Sequence, residues 1–147
     1  MRKIQNLAMA IVLPLLAPLM AGQSACNEEP VYDIEIGGEW SDSYGGAHTI
    51  DDYEWVQGGF GPASVFLLET YDNDMDFAIA LNGPDNAWNP GLWSRFDWTD
   101  MDDMGGWYYC QTAFAAETYD EAYDTPASNS GNLDNGCGGF AWTYMVP

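Results

Sequence analysis

From residue 33 onward, apolar and polar positions alternate with a period of two in short runs separated by turn residues. Ile34 and Ile36 alternate with Asp33 and Glu35, and Trp40 and Tyr44 follow before Gly45-Gly46. His48 and Ile50 alternate next, and Asp51-Asp52 reads as a turn. Tyr53 to Gln57 reads as a further strand, ended by Gly58-Gly59-Phe60-Gly61-Pro62. Ser64 to Tyr71 is rich in β-formers, with Val65, Leu67 and Tyr71 on one face and Phe66 and Leu68 on the other. Asp72-Asn73-Asp74 turns the chain into Phe77, Ile79 and Leu81. After the loop of residues 82–91, Leu92 to Thr99 puts Leu92, Phe96 and Trp98 near one face and Trp93, Arg95 and Asp97 on the other. Trp107 to Gln111 is the next strand, and Phe140 to Met145 can return as the last. Between them, Thr112 to Asp124 carries Ala113, Ala115, Ala116, Glu117, Glu121 and Ala122, a helical composition stopped before Pro126. Short runs at about ten-residue spacing are the signature of an antiparallel sandwich or barrel. The expected fold is mainly β, an antiparallel β-sandwich or small barrel with one short helix near the C-terminus.

The first residues follow another pattern. Met1-Arg2-Lys3 precedes an uncharged apolar run from Leu7 to Ala21, 15 residues long and interrupted by Pro14 and Pro18. That run is shorter than the roughly 20 residues a spanning helix needs, and it ends in small residues. Residues 1–25 therefore read as an export signal, residues 26–36 as a tether and lead-in, and residues 37–147 as a single β-rich domain.

Charge narrows the partners. The chain of 147 residues holds 3 basic and 23 acidic side chains, and Arg2 and Lys3 lie in the signal. Subtracting 25 residues leaves 122, with Arg95 alone against all 23 acids, a net charge of −22. Nucleic acid is excluded as a partner of such a domain, because phosphate neutralisation needs clustered Lys and Arg. A basic patch on anionic lipid is excluded on the same ground. Disorder does not follow from the charge: 7 Trp, 9 Tyr and 6 Phe all lie outside the signal, far above what unfolded chains carry.

Three cysteines are an odd number for an exported protein. Cys26 follows Ser24-Ala25 at the end of the signal, a junction that looks like the lipobox of bacterial lipoproteins, with Gln23 where that motif usually has Leu. Acylation of Cys26 would tether the protein to a membrane and leave an even pair. The alternative is ordinary signal-peptidase cleavage nearby, with Cys26 a stray thiol. Cys110 and Cys137 are expected to form a disulfide in an oxidising compartment. A catalytic thiol would want neighbouring cations, and a zinc site more Cys and His than His48 and these two supply.

Gly38-Glu39-Trp40-Ser41-Asp42, Gly46-Ala47-His48-Thr49-Ile50, Trp93-Ser94-Arg95-Phe96-Asp97-Trp98, Tyr109-Cys110-Gln111 and Gly136-Cys137-Gly138-Gly139-Phe140 together resemble a family of uncharacterised bacterial lipoprotein-like proteins, over about residues 37 to 147. The resemblance implies an exported, disulfide-bonded single domain and transfers no catalytic residue.

Several constellations could carry chemistry. Asp72, Asp74 and Asp76 have the D-x-D-x-D spacing that can converge oxygens on Ca²⁺, the one cofactor the sequence suggests. They are not an EF-hand, since Phe77 and Gly83 stand where that loop needs Gly and Glu. Asp100 to Gly105 is a second acidic turn, and solvated β-turns are the plainer reading of both. Weak Ca²⁺ binding or a saline habitat would each explain the acidity, because cations relieve the mutual repulsion. Arg95 reads as a salt bridge to Asp76 or Glu69, or as an anchor for an anionic ligand. His48 reads as a hydrogen-bonded sheet residue or as a ligand contact. Trp88, Trp93 and Trp107 lie in or near the Asn/Gly/Pro loop of residues 82–91, where exposed aromatics beside Asn and Asp could stack a sugar ring, although core packing is the commoner use of Trp. Trp88, Trp93, Arg95 and His48 are thus the candidate ligand contacts.

Hydrolase signals are weak. There is no G-x-S-x-G elbow, and no Asp/Glu pair stands out among so many acids. The function expected is an exported, lipid-anchored, non-catalytic binding protein of the cell envelope or surface, with carbohydrate or another surface molecule as partner. The alternative is a small secreted glycosidase-like hydrolase using two carboxylates, whose mark would be two buried acids in one cleft.

Overall fold

A computed structural model describes residues 31–59, 61–99 and 105–147. The export signal, Cys26 and most of the second acidic turn (residues 100–104) lie outside the described residues. The strands are β1 (Gly38–Asp42), β2 (Ala47–Ile50), β3 (Glu54–Gly58), β4 (Ser64–Asp72), β5 (Phe77–Asn82), β6 (Trp93–Thr99), β7 (Trp107–Ala116) and β8 (Thr143–Val146), with one helix, α1 (Tyr119–Asp124), before β8. Each strand pairs antiparallel with the next, and Ser41 and Asp42 of β1 pair with Val146 and Met145 of β8 to close a barrel. The expected sandwich-or-barrel is therefore a barrel. Among the described residues no helix is long and apolar enough to cross a membrane.

Period two decides what fills it. Ile50, Trp55, Phe66, Ala78, Ala80, Phe96, Trp98, Trp107 and Met145 form one buried interior cluster. The Trp55 and Phe96 rings stack with centroids 4.5 Å apart, and Phe66 meets Phe96 edge-on at 5.0 Å. Eight strands leave an interior just wide enough for side chains to fill, and here indoles and phenyls fill its middle. The register of β4 shifts between Leu68 and Thr70, and this bulge moves the inward set by one residue. Tyr71 thus packs on the interior with Phe66 and Leu68, whereas simple alternation placed it on the other face.

The lead-in is part of the core. Ile34 and Ile36 are 1% and 0% exposed and pack against the interior cluster, yet residues 31–37 form no strand. Their backbone is held by side chains of the β2–β3 and β4–β5 turns. Asp52 Oδ1 accepts from the amides of Asp33 and Ile34, and Asn73 Oδ1 accepts from that of Glu35. Trp40 Nε1 donates to the Ile36 carbonyl at 2.9 Å, and Trp98 Nε1 to Glu35 at 2.6 Å. The segment is a plug that closes one end of the barrel.

The helix is shorter than its composition suggests. β7 continues through Ala116, because Ala113 and Ala116 pair with Arg95 and Trp93 of β6. A ladder of tertiary hydrogen bonds outweighs the few tenths of a kcal/mol by which alanine prefers a helix. α1 starts where Thr118 accepts from the Glu121 amide, and it stops at Thr125, before Pro126. It covers the outer faces of β5 and β6, with Ala122 and Tyr119 packing on Phe77, Ile79 and Trp93. That explains why Phe77 to Ala80 are buried on both faces of β5.

Candidate functional site

The end opposite the plug is open and polar. On strand after strand, inward positions toward this end carry polar side chains: Asp42, His48, Gln57, Ser64, Asn82, Ser94 and Gln111. All of them except the fully buried Ser94 line two adjoining cavities of about 370 and 400 Å³ that share Gln57, Ser64 and Trp88. Such volumes suit a small ligand. Three aromatics ring the opening: Trp88 from the β5–β6 loop, Tyr44 from the β1–β2 turn and Phe114 of β7 are 81%, 70% and 60% exposed.

Beneath the rim, one hydrogen-bonded chain crosses three strands. Asp42 Oδ2 lies 2.9 Å from His48 Nε2, and Trp55 Nε1 lies 3.0 Å from His48 Nδ1. An indole N–H can only donate, so Nδ1 accepts and the Nε2 proton faces Asp42. Asp42 Oδ1 accepts the amides of Tyr44 (2.8 Å) and Gly46 (2.9 Å), which builds the β1–β2 turn. A Cβ at residue 46 would collide with that carboxylate, so the turn needs its glycine. Burial raises the Asp42 carboxyl, but the hydrogen bonds from His48, Gly46 and Tyr44 outweigh it and hold the group below its ordinary 3.8. The neighbouring Tyr109 phenol is pushed up to about 12, by burial first and the Asp42 charge second.

The second cavity has an amide floor. Ser94 Oγ donates to Asn82 Oδ1 at 2.6 Å, and Gln111 Nε2 donates to Ser94 Oγ at 3.0 Å. Asn82 Nδ2 reaches the carbonyls of Asn89 and Phe114. Asn86 exchanges two 2.8 Å bonds with the Val65 backbone, so the loop carrying Trp88 is fixed at both ends. Two buried donors find no hydrogen-bond partner among the described residues, Trp107 Nε1 in the interior and Gln57 Nε2 between the two cavities. A buried donor left unpaired costs about 1–3 kcal/mol, and natural folds rarely leave one without a use.

The candidate ligand contacts divide between two places. Trp88 and His48 meet at the mouth. Trp93 and Arg95 lie on the outer face of β6, where Trp93 packs edge-on against Tyr119 at 5.4 Å. Arg95 Nε donates to Asp97 Oδ1 at 2.9 Å and Nη1 to the Tyr123 carbonyl, with the guanidinium 4.5 Å over the Phe77 ring. Its ion-pair partner is thus Asp97 on its own strand, rather than Asp76 or Glu69. Asp97 Oδ2 also accepts from Thr112 Oγ1 and the Ser128 amide, which ties the segment after α1 to the barrel wall. Trp107, the third tryptophan near the loop in sequence, lies in the buried interior.

The disulfide joins Cys110 of β7 to Cys137, with Cα atoms 5.6 Å apart. The D-x-D-x-D carboxylates do local work. Asp72 Oδ1 caps the β4–β5 turn by accepting the amides of Asp74 (2.9 Å) and Met75 (3.0 Å). Asp76, in left-handed backbone at φ 54°, bonds its carboxyl to Glu35. Among the described residues no group of three or more His, Cys, Asp or Glu is arranged to hold a metal ion.

Nothing local in the sequence marks Gln57, Ser64, Asn82 or Gln111 as a site residue. Their signal is in the alternation itself: each shares its parity with an apolar residue that faces the interior. Parity becomes a site only once strand order brings the ends together. No protein-family model, curated protein or solved structure matches the chain.

Proposed function

We propose that this protein is an exported, lipid-anchored, non-catalytic binding module that holds a small ligand in the open mouth of its barrel. The observation that carries the reading is the unpartnered Gln57 amide, buried between two cavities under an exposed Trp88 whose loop is pinned in place. A preformed polar floor beneath an aromatic rim is how small-ligand sites are built. Hydrolysis is less well supported. Asp42 is the one carboxylate among the described residues lining the mouth, both its oxygens are engaged, and both His48 nitrogens are occupied.

The anchor fits this geometry. Acylation of Cys26 would tie the protein to the membrane through the plugged end, where Val31 is exposed. The seven residue steps from Cys26 to Asp33 span at most about 25 Å, which would keep the plugged end close to the lipid. Mass spectrometry of the N-terminal peptide should find a diacylglyceryl group on Cys26; an unmodified N-terminus elsewhere removes the anchor.

Binding is tested by thermal melts of the protein and its Trp88→Ala variant against a chemically mixed small-molecule library. Because Trp88 is exposed, the substitution should change the unliganded stability by no more than about 0.5 kcal/mol. A true ligand at a hundredfold excess over its Kd adds about 2.7 kcal/mol. It should do so in the wild type, much less in the variant, and be recovered unaltered. Failure of every compound to act through Trp88 contradicts the reading.

A further inference from the structure

We infer that the ligand of the barrel mouth is an uncharged saccharide, an inference that rests on the binding-module reading and gives it a chemical class. Four observations narrow the field. The apolar interior is filled by Trp55, Phe96 and Trp107, with Trp55 centroids 4.5 and 6.0 Å from the other two, so no bore remains for an acyl chain. Among the described residues no cation lines the mouth: Arg95 is spent on Asp97 and the Tyr123 carbonyl on the outer wall. The charge of −22 carried by residues 26–147 and the Asp42 carboxylate repel an anion further. A simple cation would be attracted, but both Asp42 oxygens are already engaged by His48 and the amides of Tyr44 and Gly46, and the unpaired Gln57 N–H calls for an acceptor.

What remains is a ligand with neutral oxygen acceptors and a face that stacks. Saccharides combine the two. Their C–H faces pack on exposed indole and phenol rings, and their hydroxyls both donate and accept, as a floor of amides and hydroxyls requires. Trp88 supplies the platform at the edge shared by the two cavities. Gln57 reaches the same volume from below, with Ser64 beside it. The adjoining cavities, about 370 and 400 Å³, suit two consecutive sugar units better than one.

Calorimetric titration of the whole domain tests this with four neutral disaccharides, cellobiose, maltose, lactose and N,N′-diacetylchitobiose. Glucuronate, glucosamine and decanoate are the charged and apolar counterparts. At least one neutral disaccharide should bind. Gln57→Leu and Trp88→Ala should each weaken it by about tenfold or more. A charged or apolar probe binding through Trp88 while all neutral disaccharides fail overturns the saccharide assignment and leaves the binding module standing. No binding by any probe, in this titration and in the library melts, overturns both.

Discussion

His48 is the only histidine in the chain, and its value lies in joining groups from three strands. Replacing it by Ala would leave the buried Trp55 indole N–H without its partner and strip Asp42 Oδ2 of its hydrogen bond. The expected cost is about 2–5 kcal/mol, well above that of a surface substitution. The pH dependence has a definite sign. Because the folded Asp42 carboxyl lies below its ordinary 3.8, its contribution is fully present above that value and is lost as pH falls toward the folded one. In urea melts between pH 2 and 7, Asp42→Asn should therefore flatten the acid limb; an unchanged slope would contradict the role given to the chain. Asp76 has the opposite sign. Burial, then the charges of Glu35, Asp72 and Asp74, raise its carboxyl, so the ionised form weakens the fold at neutral pH. Asn tolerates the same left-handed backbone. Asp76→Asn should raise the melting temperature at pH 7, and the gain should shrink as the solution is acidified; destabilisation at pH 7 would contradict this.

At the scale of elements, the segment between β7 and β8 is fixed at two points: the disulfide, and the Arg95–Asp97 pair with its bonds to Tyr123 and Ser128. A loop closed over 27 residues is stabilised by about 3–4 kcal/mol in the chain-entropy account. Arg95→Ala would strand Asp97 in a buried site at a cost of about 3–5 kcal/mol. It should leave affinity at the mouth unchanged, since β6 separates the two places; a variant that melts normally but loses ligand would return Arg95 to the binding site. Strand positions were legible in sequence because alternation and turn residues are local. The end of β7 was not, because Ala113 and Ala116 are held by β6, a partner that propensity does not see. Nor was the plug: Ile34 and Ile36 alternate like a strand, but their backbone is paired by Asp52 and Asn73 side chains. His48 is marked in the sequence as the lone histidine, and Trp88 as an aromatic within the Asn/Gly/Pro loop. Gln57 and Gln111 are not marked, because a polar residue at an inward position gains meaning only from the barrel that surrounds it.

The whole molecule is polarised along its barrel axis. Among the described residues a lead-in fills one end, an aromatic middle follows, and the opposite end is polar and aromatic-rimmed. Excess negative charge repels anions in general and sets no obstacle to a neutral guest. The most direct test is a ¹H–¹⁵N correlation spectrum of the labelled domain titrated with the neutral disaccharides. The Gln57 side-chain amide and the Trp88 indole N–H should shift together and saturate together, while the indoles of Trp55 and Trp98, already bonded to His48 and Glu35, stay nearly still. Shifts confined to the outer wall around Trp93, Arg95 and α1, or a spectrum that does not move, would contradict a binding site at the mouth.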